Sequence, residues 1–278
     1  MFVFGSSLVD NGNNNFLPNS IAKVDYFPYG IDFPLGPSGR FTNGRNVIDI
    51  LGQKLNLPTY IPPFNDPSTK GSKIVNGVNY ASGGSGILDN TGRRDQFEST
   101  IRNFEEVTLP ELGMQLGERS TGILSQFLFV VGSGGNDYSL NYFLGNNNVS
   151  VEAFTANLTT TLSNQLKDLV VAIRPQMPGS NLIFVNSYKI IRDIIRFPIS
   201  RGFRNASNSC CEVTKISEGG TGILCKRGGT VCANRSEYVF FDGLHPTEAV
   251  NVVIATKAFA SYLKAEVYPF NVKQLSEI

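Results

Sequence analysis

The chain has 278 residues, of which 41% are hydrophobic and 17% are charged. This length and composition are typical of a folded protein with a sizeable core, and they exclude an intrinsically disordered chain. The 24 basic and 23 acidic residues give a formal net charge of +1, and no block of like charge stands out, which argues against a nucleic-acid groove or a polybasic membrane patch.

Short apolar runs alternate with helical stretches along the chain. The predicted strands are Phe2–Phe4, Val75–Ala81, Phe127–Val131 and Leu182–Val185. The predicted helices are Arg45–Leu55, Ser99–Leu116, Val151–Arg174 and Thr247–Val267. This alternation favours an α/β fold with one open parallel sheet covered on both faces. Since no linker or repeat interrupts it, a single domain over residues 1–278 is expected, and no apolar run is long enough to predict a transmembrane segment.

All four cysteines fall in one short stretch, as Cys210, Cys211, Cys225 and Cys232. An even, clustered set in a loop-like segment predicts a disulfide framework and an oxidising compartment. A bond between the neighbours Cys210 and Cys211 would be strained, so two of the three pairings remain. A zinc site is disfavoured, because the stretch has no Cys-x-x-Cys pair and no second histidine lies nearby.

Two further features agree with secretion. Asn148, Asn157, Asn205 and Asn234 each begin an Asn-x-Ser/Thr glycosylation sequon. The chain opens inside the apolar run Met1–Phe4, as though a leader had been removed before the first strand. We therefore expect a secreted, extracellular glycoprotein.

Ser7 follows the first predicted strand directly, in the sequence Gly5-Ser6-Ser7-Leu8. On a tight turn between a strand and a helix, a serine hydroxyl is presented while nearby backbone N–H groups can face a developing oxyanion. In isolation, a serine after glycine is also typical of a turn or a helix cap. Its interpretation as a nucleophile therefore depends on the residues that follow the other strands.

Glycine and asparagine residues follow the next two predicted strands. The second strand runs into Ser82-Gly83-Gly84-Ser85-Gly86, where glycines allow the backbone to approach a ligand closely. Asn136, after the third strand, offers a neutral side-chain N–H donor that suits an oxyanion. The structural alternatives are a flexible loop or phosphate cradle for the glycines and an Asx-turn for Asn136.

His245 is the only histidine of the chain, and Asp242 precedes it by three residues. At that spacing the carboxylate is close enough to orient the imidazole. With Ser7 as the nucleophile, these residues predict a catalytic triad in which His245 is the general base and Asp242 the orienting acid. A lone histidine is more often a surface or capping residue, and its combination with Ser7 and the loops at the strand ends favours catalysis.

Taken in order, these blocks resemble the SGNH hydrolases, and within them the plant GDSL esterase/lipase family. The similarity runs nearly from end to end, and the segments that carry it are Val9–Asn15, Tyr29–Phe33, Gly39–Arg45, Asn79–Gly86, Asn136–Tyr138, Cys210–Cys211 and Asp242–Asn251. The resemblance implies a three-layer α/β/α sandwich with a parallel sheet. It also implies a secreted enzyme that cleaves esters without a metal or cofactor.

The resemblance further assigns roles to individual residues. Ser7, Asp242 and His245 would be catalytic, and the oxyanion hole would consist of the Ser7 backbone N–H, Gly83 and Asn136. The implied substrate is a small-molecule acyl ester, or an acyl ester of lipid or cell wall. Acyl transfer to a small alcohol is a close variant of the same chemistry.

The sequence departs from the family pattern in two places. The motif Gly-Asp-Ser-Leu reads Gly5-Ser6-Ser7-Leu8, so Ser6 replaces an aspartate that helps to fix the nucleophile turn. A segment that carries a strand and a helix in the family is absent after the helix at Phe154–Gln165. Four main strands instead of five are therefore predicted.

This absence leads to a specific prediction for the sheet. Leu182–Val185 should pair directly with Phe127–Val131, while Phe2–Phe4 lies inside the sheet and Val75–Ala81 lies at one edge. The last strand would be displaced by one strand spacing, about 4.8 Å. A displacement of even about 1 Å between catalytic groups can cost a hundredfold in rate.

Two functions of different classes therefore compete. The first is a serine esterase of the GDSL type, and the second is a catalytically impaired secreted glycoprotein of the same fold that binds esters or carbohydrate. A nucleotide-binding domain that uses the Gly83–Gly86 loop is disfavoured, because no Gly-x-Gly-x-x-Gly or Walker lysine pattern follows any strand.

Overall fold

The computed structural model describes residues 1–88, 90–91, 97–117, 123–143, 145, 149–173 and 181–278. Its strands are β1 (Phe2–Gly5), β2 (Phe129–Gly132), β3 (Phe184–Val185), β4 (Asn205–Ser209), β5 (Tyr238–Phe240) and β6 (Val267–Tyr268). Its α-helices are α1 (Val47–Lys54), α2 (Phe97–Asn103), α3 (Leu109–Leu116), α4 (Val151–Ile173), α5 (Ser187–Arg196), α6 (Glu248–Ala260) and α7 (Val272–Leu275).

The chain divides into two compact units. The first comprises Met1–Ala22 and Ile61–Ser180, and the second comprises Lys23–Tyr60 and Asn181–Ile278. The expectation of a single domain stays a prediction. No helix among the described residues is both long and apolar enough to span a bilayer.

In the first unit, β1 lies between two parallel neighbours. It pairs with β2 in a register that runs from Phe2 opposite Phe129 to Gly5 opposite Gly132. On its other side, Val3 forms a parallel bridge with Asn79. The predicted α/β fold with parallel strands is therefore confirmed, and β1 lies inside this arrangement as expected.

The strand pairing differs from the prediction in two respects. The segment Val75–Ala81 contributes only a bridge at Asn79, which also pairs in parallel with Pro63, so this segment is not the outermost one. β3 pairs antiparallel with β6 inside the second unit. The predicted pairing of Leu182–Val185 with Phe127–Val131 is therefore wrong. The described strands form three pairs, β1–β2, β3–β6 and β4–β5, in place of one four-stranded sheet.

Aromatic side chains dominate the core of the first unit. The rings of Phe4 and Tyr80 stack at 5.0 Å between centroids, and Phe2 meets Phe104 edge to face at 4.9 Å. All four side chains are almost fully buried. Such aromatic pairs contribute about 0.5–1.5 kcal/mol each beyond the burial of their area, so they anchor the strand that leads to Ser7.

The buried hydroxyl of Tyr80 makes the stability of this core depend on pH. It donates to Thr108 Oγ1 at 2.5 Å, and burial raises the pKa of Tyr80 above its ordinary value. Above pH of about 10 the unfolded tyrosine loses its proton while the folded one keeps it, so the free energy of unfolding falls by about 1.4 kcal/mol per pH unit for this group. We expect urea unfolding between pH 9 and 11.5 to show a shallower fall for Tyr80→Phe.

The matched control for this measurement is Tyr188→Phe, because the Tyr188 side chain is 70% exposed. This variant is expected to keep the slope of the parent protein. An unchanged slope in Tyr80→Phe would mean that burial of Tyr80 does not control the alkaline response.

In the second unit, α1 packs against α6 through Ile50, Leu51, Ala255 and Ala258. α1 begins at a capping box in which Asn46 accepts from the Asp49 backbone N–H and the Asp49 side chain accepts from the Asn46 N–H. α6 begins directly after the loop that carries His245. It ends at Ala260, earlier than the predicted Val267, because the remaining residues turn back to form β6.

The other predicted helices match in position and differ in detail. The stretch predicted as Ser99–Leu116 is α2, a π-helical turn at Phe104–Thr108, and α3. α4 agrees with the predicted Val151–Arg174 from Val151 to Ile173, and Arg174 lies outside the described residues. α5 was not predicted, although Ile190 and Ile194 occupy the same face one turn apart and are both buried.

Candidate active site

Ser7 lies on the turn that follows β1. Gly5 has a φ of +149°, and an ideal Cβ at this residue would lie 2.3 Å from the carbonyl oxygen of Gly132, so only glycine fits. The Ser6 N–H donates to the same carbonyl at 3.1 Å, and the Val9 N–H donates to the Ser6 carbonyl at 3.1 Å. The chain therefore turns at once, and Ser7 is buried on this turn with 6% exposure.

Asp10 fixes the backbone after the turn. Its Oδ1 accepts from the N–H groups of Gly12 at 2.7 Å and Asn13 at 2.8 Å, and its Oδ2 accepts from the Gly83 N–H at 3.0 Å. The side chain is fully buried. Charge-assisted hydrogen bonds from three backbone N–H groups to one carboxylate are strong, so Asp10 joins the Ser7 turn to the glycine loop.

The two asparagines that follow hold the same glycine loop. Asn13 Nδ2 donates to the Ala81 carbonyl at 2.9 Å. Asn14 Oδ1 accepts from Ser82 Oγ at 2.6 Å and from the Gly83 N–H at 3.1 Å. The Gly83 N–H, which the sequence assigns to an oxyanion hole, is therefore engaged by two side-chain oxygens in this structure.

Asn136 lies just after β2 and contacts the same loop. Its Nδ2 donates to the Ser85 carbonyl at 2.8 Å, and Ser85 Oγ donates to the Gly5 carbonyl at 2.8 Å. The next residue, Asp137, is fully buried and accepts from the Ile87 N–H at 2.9 Å. The segments that carry Ser7, Gly83 and Asn136 are thus interlocked at the ends of neighbouring strands.

Asp242 and His245 form a buried pair in the second unit. His245 Nδ1 lies 2.8 Å from Asp242 Oδ2 and 3.0 Å from Oδ1. The backbone N–H groups of Leu244 and His245 also donate to Oδ1, at 2.8 and 2.7 Å. Asp242 is 0% exposed and His245 is 4% exposed. The structure therefore brings the predicted acid and base together, with Nδ1 facing the carboxylate.

Neighbouring residues fix the loop on which His245 lies. The Phe41 ring lies 4.8 Å from the imidazole. Thr42 Oγ1 donates to the Pro246 carbonyl at 2.9 Å, and the Phe241 N–H donates to the His245 carbonyl at 2.8 Å. The imidazole thus packs against the Phe41 ring, and hydrogen bonds to the His245 and Pro246 carbonyls fix the backbone around it.

Tyr29 is a site residue that the sequence analysis did not assign. Its hydroxyl donates to Asp242 Oδ2 at 2.6 Å and accepts from the Cys225 N–H at 3.0 Å. Burial, and then the charge of Asp242 and its hydrogen bond, raise the pKa of Tyr29, so the hydroxyl stays protonated and remains a donor. The sequence feature that could have indicated this role is the position of Tyr29 in the segment Tyr29–Phe33, which carries part of the family resemblance.

The predicted disulfide framework is confirmed next to this pair. Cys210 bonds to Cys232 and Cys211 bonds to Cys225. Each of the four sulfurs is therefore bonded in a disulfide and is not a thiolate that could bind zinc. The Cys211 N–H donates to the Phe241 carbonyl at 2.9 Å, so one cross-linked residue pairs directly with the residue before Asp242.

Three of the four sequons lie in the described part of the chain. Asn157 and Asn234 are exposed, and Asn205 is partly exposed. Asn148 lies outside the described residues. Two of the three described sequons therefore have an asparagine that is exposed to solvent.

Together with the parallel β1–β2 pair, these features are consistent with an α/β hydrolase. A carboxylate that holds the Nδ1 side of an imidazole makes Nε2 the basic nitrogen, which is the state required of a general base. Ser7, Gly83 and Asn136 belong to the first unit, whereas Asp242 and His245 belong to the second.

Comparisons with known proteins identify the family. A family model described as GDSL-like Lipase/Acylhydrolase matches residues 1–182. Three proteins of Arabidopsis thaliana, each named GDSL esterase/lipase, are 33%, 34% and 31% identical to the chain. The alignments cover 100% of this chain and 92%, 91% and 92% of the relatives. The chain therefore belongs to the GDSL esterase/lipase family, a family of carboxylic ester hydrolases.

The same alignments bear on the absent family segment. The first extends over 339 positions, whereas the chain has 278 residues, so at least 61 of those positions hold no residue of this chain. This difference supports the prediction that a segment present in the relatives is missing here.

Proposed function

We propose that this protein is a serine ester hydrolase in which Ser7 is the nucleophile, His245 the general base and Asp242 the residue that orients it. The observation that carries the proposal is the buried Asp242–His245 pair, with Nδ1 2.8 Å from the carboxylate. In this tautomer Nε2 takes the Ser7 proton as the hydroxyl attacks the ester carbonyl, and returns it to the leaving alcohol.

The proposed oxyanion hole uses the Ser7 backbone N–H, the Gly83 N–H and the Asn136 side-chain amide. Three hydrogen bonds in the structure define what substrate binding requires. The Gly83 N–H must turn from Asp10 and Asn14 toward the substrate oxygen, or be shared with it. The Asn136 amide nitrogen carries two hydrogens, and its bond to Ser85 uses one.

The substrate proposed is an acyl ester, either a small molecule or an ester of lipid or cell wall. The two disulfides and the exposed sequons support the proposal that the protein is a secreted, extracellular glycoprotein. Acyl transfer to a small alcohol uses the same residues, with the alcohol in place of water.

The second candidate function is binding by a protein of the same fold in which catalysis is impaired. Three observations favour it. The Gly83 N–H already donates to side chains of the protein, Ser6 replaces the family aspartate, and at least 61 positions of the alignment with a relative have no residue in this chain. In this case the fold would bind an ester or carbohydrate without cleaving it.

A fluorophosphonate probe separates the two functions. We expect it to label the wild-type chain at Ser7, as mapped by peptide mass spectrometry, because the probe reacts with a serine that a base has activated. Ser7→Ala is expected to abolish labelling. Ser6→Ala is the matched control, since Ser6 is a buried neighbouring serine on the same turn, and it should still label. A folded wild-type chain that does not label would favour the binding function.

A further inference from the structure

Tyr29 is fully buried and faces the acid of the proposed triad. Its ring meets those of Phe241, Phe41 and Tyr26 edge to face, with centroids 5.6, 6.4 and 5.4 Å away. Three aromatic neighbours leave the ring little freedom to rotate away from Asp242. The 2.6 Å bond from the hydroxyl to Asp242 Oδ2 is therefore set by packing.

The two oxygens of Asp242 are held in different ways. Oδ1 accepts from two backbone N–H groups of its own loop, those of Leu244 and His245. Oδ2 accepts from the Tyr29 hydroxyl and also faces His245 Nδ1. Among the described contacts, Tyr29 is thus the side chain from outside the Asp242–His245 loop that fixes the carboxylate plane.

The Tyr29 hydroxyl is itself fixed from its other side. It accepts from the Cys225 backbone N–H at 3.0 Å. The disulfide to Cys211 holds Cys225 in place. A continuous series of bonds therefore leads from the cross-linked backbone through Tyr29 to Asp242.

Gly30 explains how the sequence places this tyrosine. Its φ is +68°, and an ideal Cβ would lie 2.4 Å from the Gly36 carbonyl oxygen, so the position requires glycine. The Gly30 N–H donates to the Thr42 carbonyl at 3.0 Å, which fixes the turn directly after Tyr29. The block Tyr29–Phe33 thus gains a role that the proposed triad alone leaves unexplained.

We propose that Tyr29 is a positioning residue, which holds the Asp242 carboxylate against His245 Nδ1 and is held in turn by the Cys225 backbone. This inference rests on the proposed hydrolase function for its kinetic consequence. Its structural consequence, the fixed Nδ1–H bond, does not depend on that function.

The test compares Tyr29→Phe with Tyr26→Phe. Both variants remove one hydroxyl that bonds to Cys225, but only Tyr29 contacts Asp242. For Tyr29→Phe we expect kcat on p-nitrophenyl acetate to fall roughly tenfold with KM changed by less than about twofold. For Tyr26→Phe we expect both constants to stay near those of the wild type.

Nuclear magnetic resonance supplies a readout that needs no activity. Because the chain has one histidine, its imidazole signals need no assignment. In the wild type the Nδ1–H proton should be resolved and slow to exchange with water. Tyr29→Phe should shift this signal and speed its exchange, while Tyr26→Phe should leave it unchanged.

The outcomes separate the two proposals. A wild-type chain that neither labels nor hydrolyses refutes the proposed function, and the imidazole spectra still decide the role of Tyr29. Unchanged spectra in Tyr29→Phe, or equal changes in both variants, overturn the positioning role. If Tyr29→Phe does not fold, the wild type decides the matter, because its Tyr29 hydroxyl proton must be protected from exchange in a sample with labelled tyrosine.

Discussion

Replacing His245 with alanine is expected to lower kcat for p-nitrophenyl acetate by about 10⁴- to 10⁶-fold. Without the imidazole, no base removes the Ser7 proton as the hydroxyl attacks, and no acid protonates the leaving group. The substrate contacts of the ground state remain, so KM should change little. Steady-state kinetics on the purified, disulfide-bonded chain measure this effect.

The double variant Ser7→Ala/His245→Ala tests whether the two residues act together. Members of a triad act as a unit, so the double variant should be no slower than Ser7→Ala alone. Added imidazole should partly restore the rate of His245→Ala and leave Ser7→Ala unchanged. Losses that multiply in the double variant would contradict a shared catalytic step.

Replacing Asp10 with alanine is expected to lower the free energy of unfolding by about 3 kcal/mol or more. The change removes the acceptor of the Gly12 and Asn13 backbone N–H groups, and one of the two acceptors of the Gly83 N–H. Each buried donor left without a partner costs about 1–3 kcal/mol. Since the chain has no tryptophan, urea unfolding is best followed by far-ultraviolet circular dichroism.

Asp10→Asn is the matched control for this prediction. An amide of the same shape keeps one oxygen for Gly12 and Asn13, but presents an NH₂ group to the Gly83 N–H. We expect a smaller loss of about 1–2 kcal/mol. Fluorophosphonate labelling should also slow, because the glycine loop loses its tie to the nucleophile turn. Stability within about 0.5 kcal/mol of the wild type in both variants would show that Asp10 does not hold this loop.

Secondary-structure elements that are determined by neighbouring residues could be predicted from the sequence. β1 was predicted within one residue and α4 begins at the predicted Val151, because apolar runs and helical periodicity are properties of neighbouring residues. The segment Val75–Ala81 was also predicted to be a strand, yet its pairing is confined to two bridges at Asn79. Asn13 Nδ2 donates to the carbonyls of Asn79 and Ala81, positions that a strand partner would occupy.

The end of α6 shows the same limit of sequence reasoning. Apolar periodicity continues beyond Ala260 and favoured a helix to Val267. The buried carboxylate of Glu266 instead accepts from Lys257 and from Ser261 Oγ. These contacts turn the chain back toward its own helix, and no periodic pattern encodes them.

The candidate site divides in a similar way. Asp242 and His245 are three residues apart, so their pairing could be predicted from spacing alone. Tyr29 and Asp242 are separated by 213 residues in the sequence, so their contact could not be predicted from residue spacing. The role of the Gly83 N–H was assigned from the family resemblance, but its present partners depend on the conformations of the Asp10 and Asn14 side chains.

The disulfide between Cys211 and Cys225 bears on the stage of maturation at which the proposed ester hydrolysis becomes possible. A newly made chain has thiols at these positions, so the Cys225 backbone is not yet fixed beneath Tyr29. Reducing compartments keep it in that state. Under the proposed function, the ester-cleaving form is therefore expected to arise only during oxidative maturation, and the chain is expected to be inactive toward esters until its disulfides have formed.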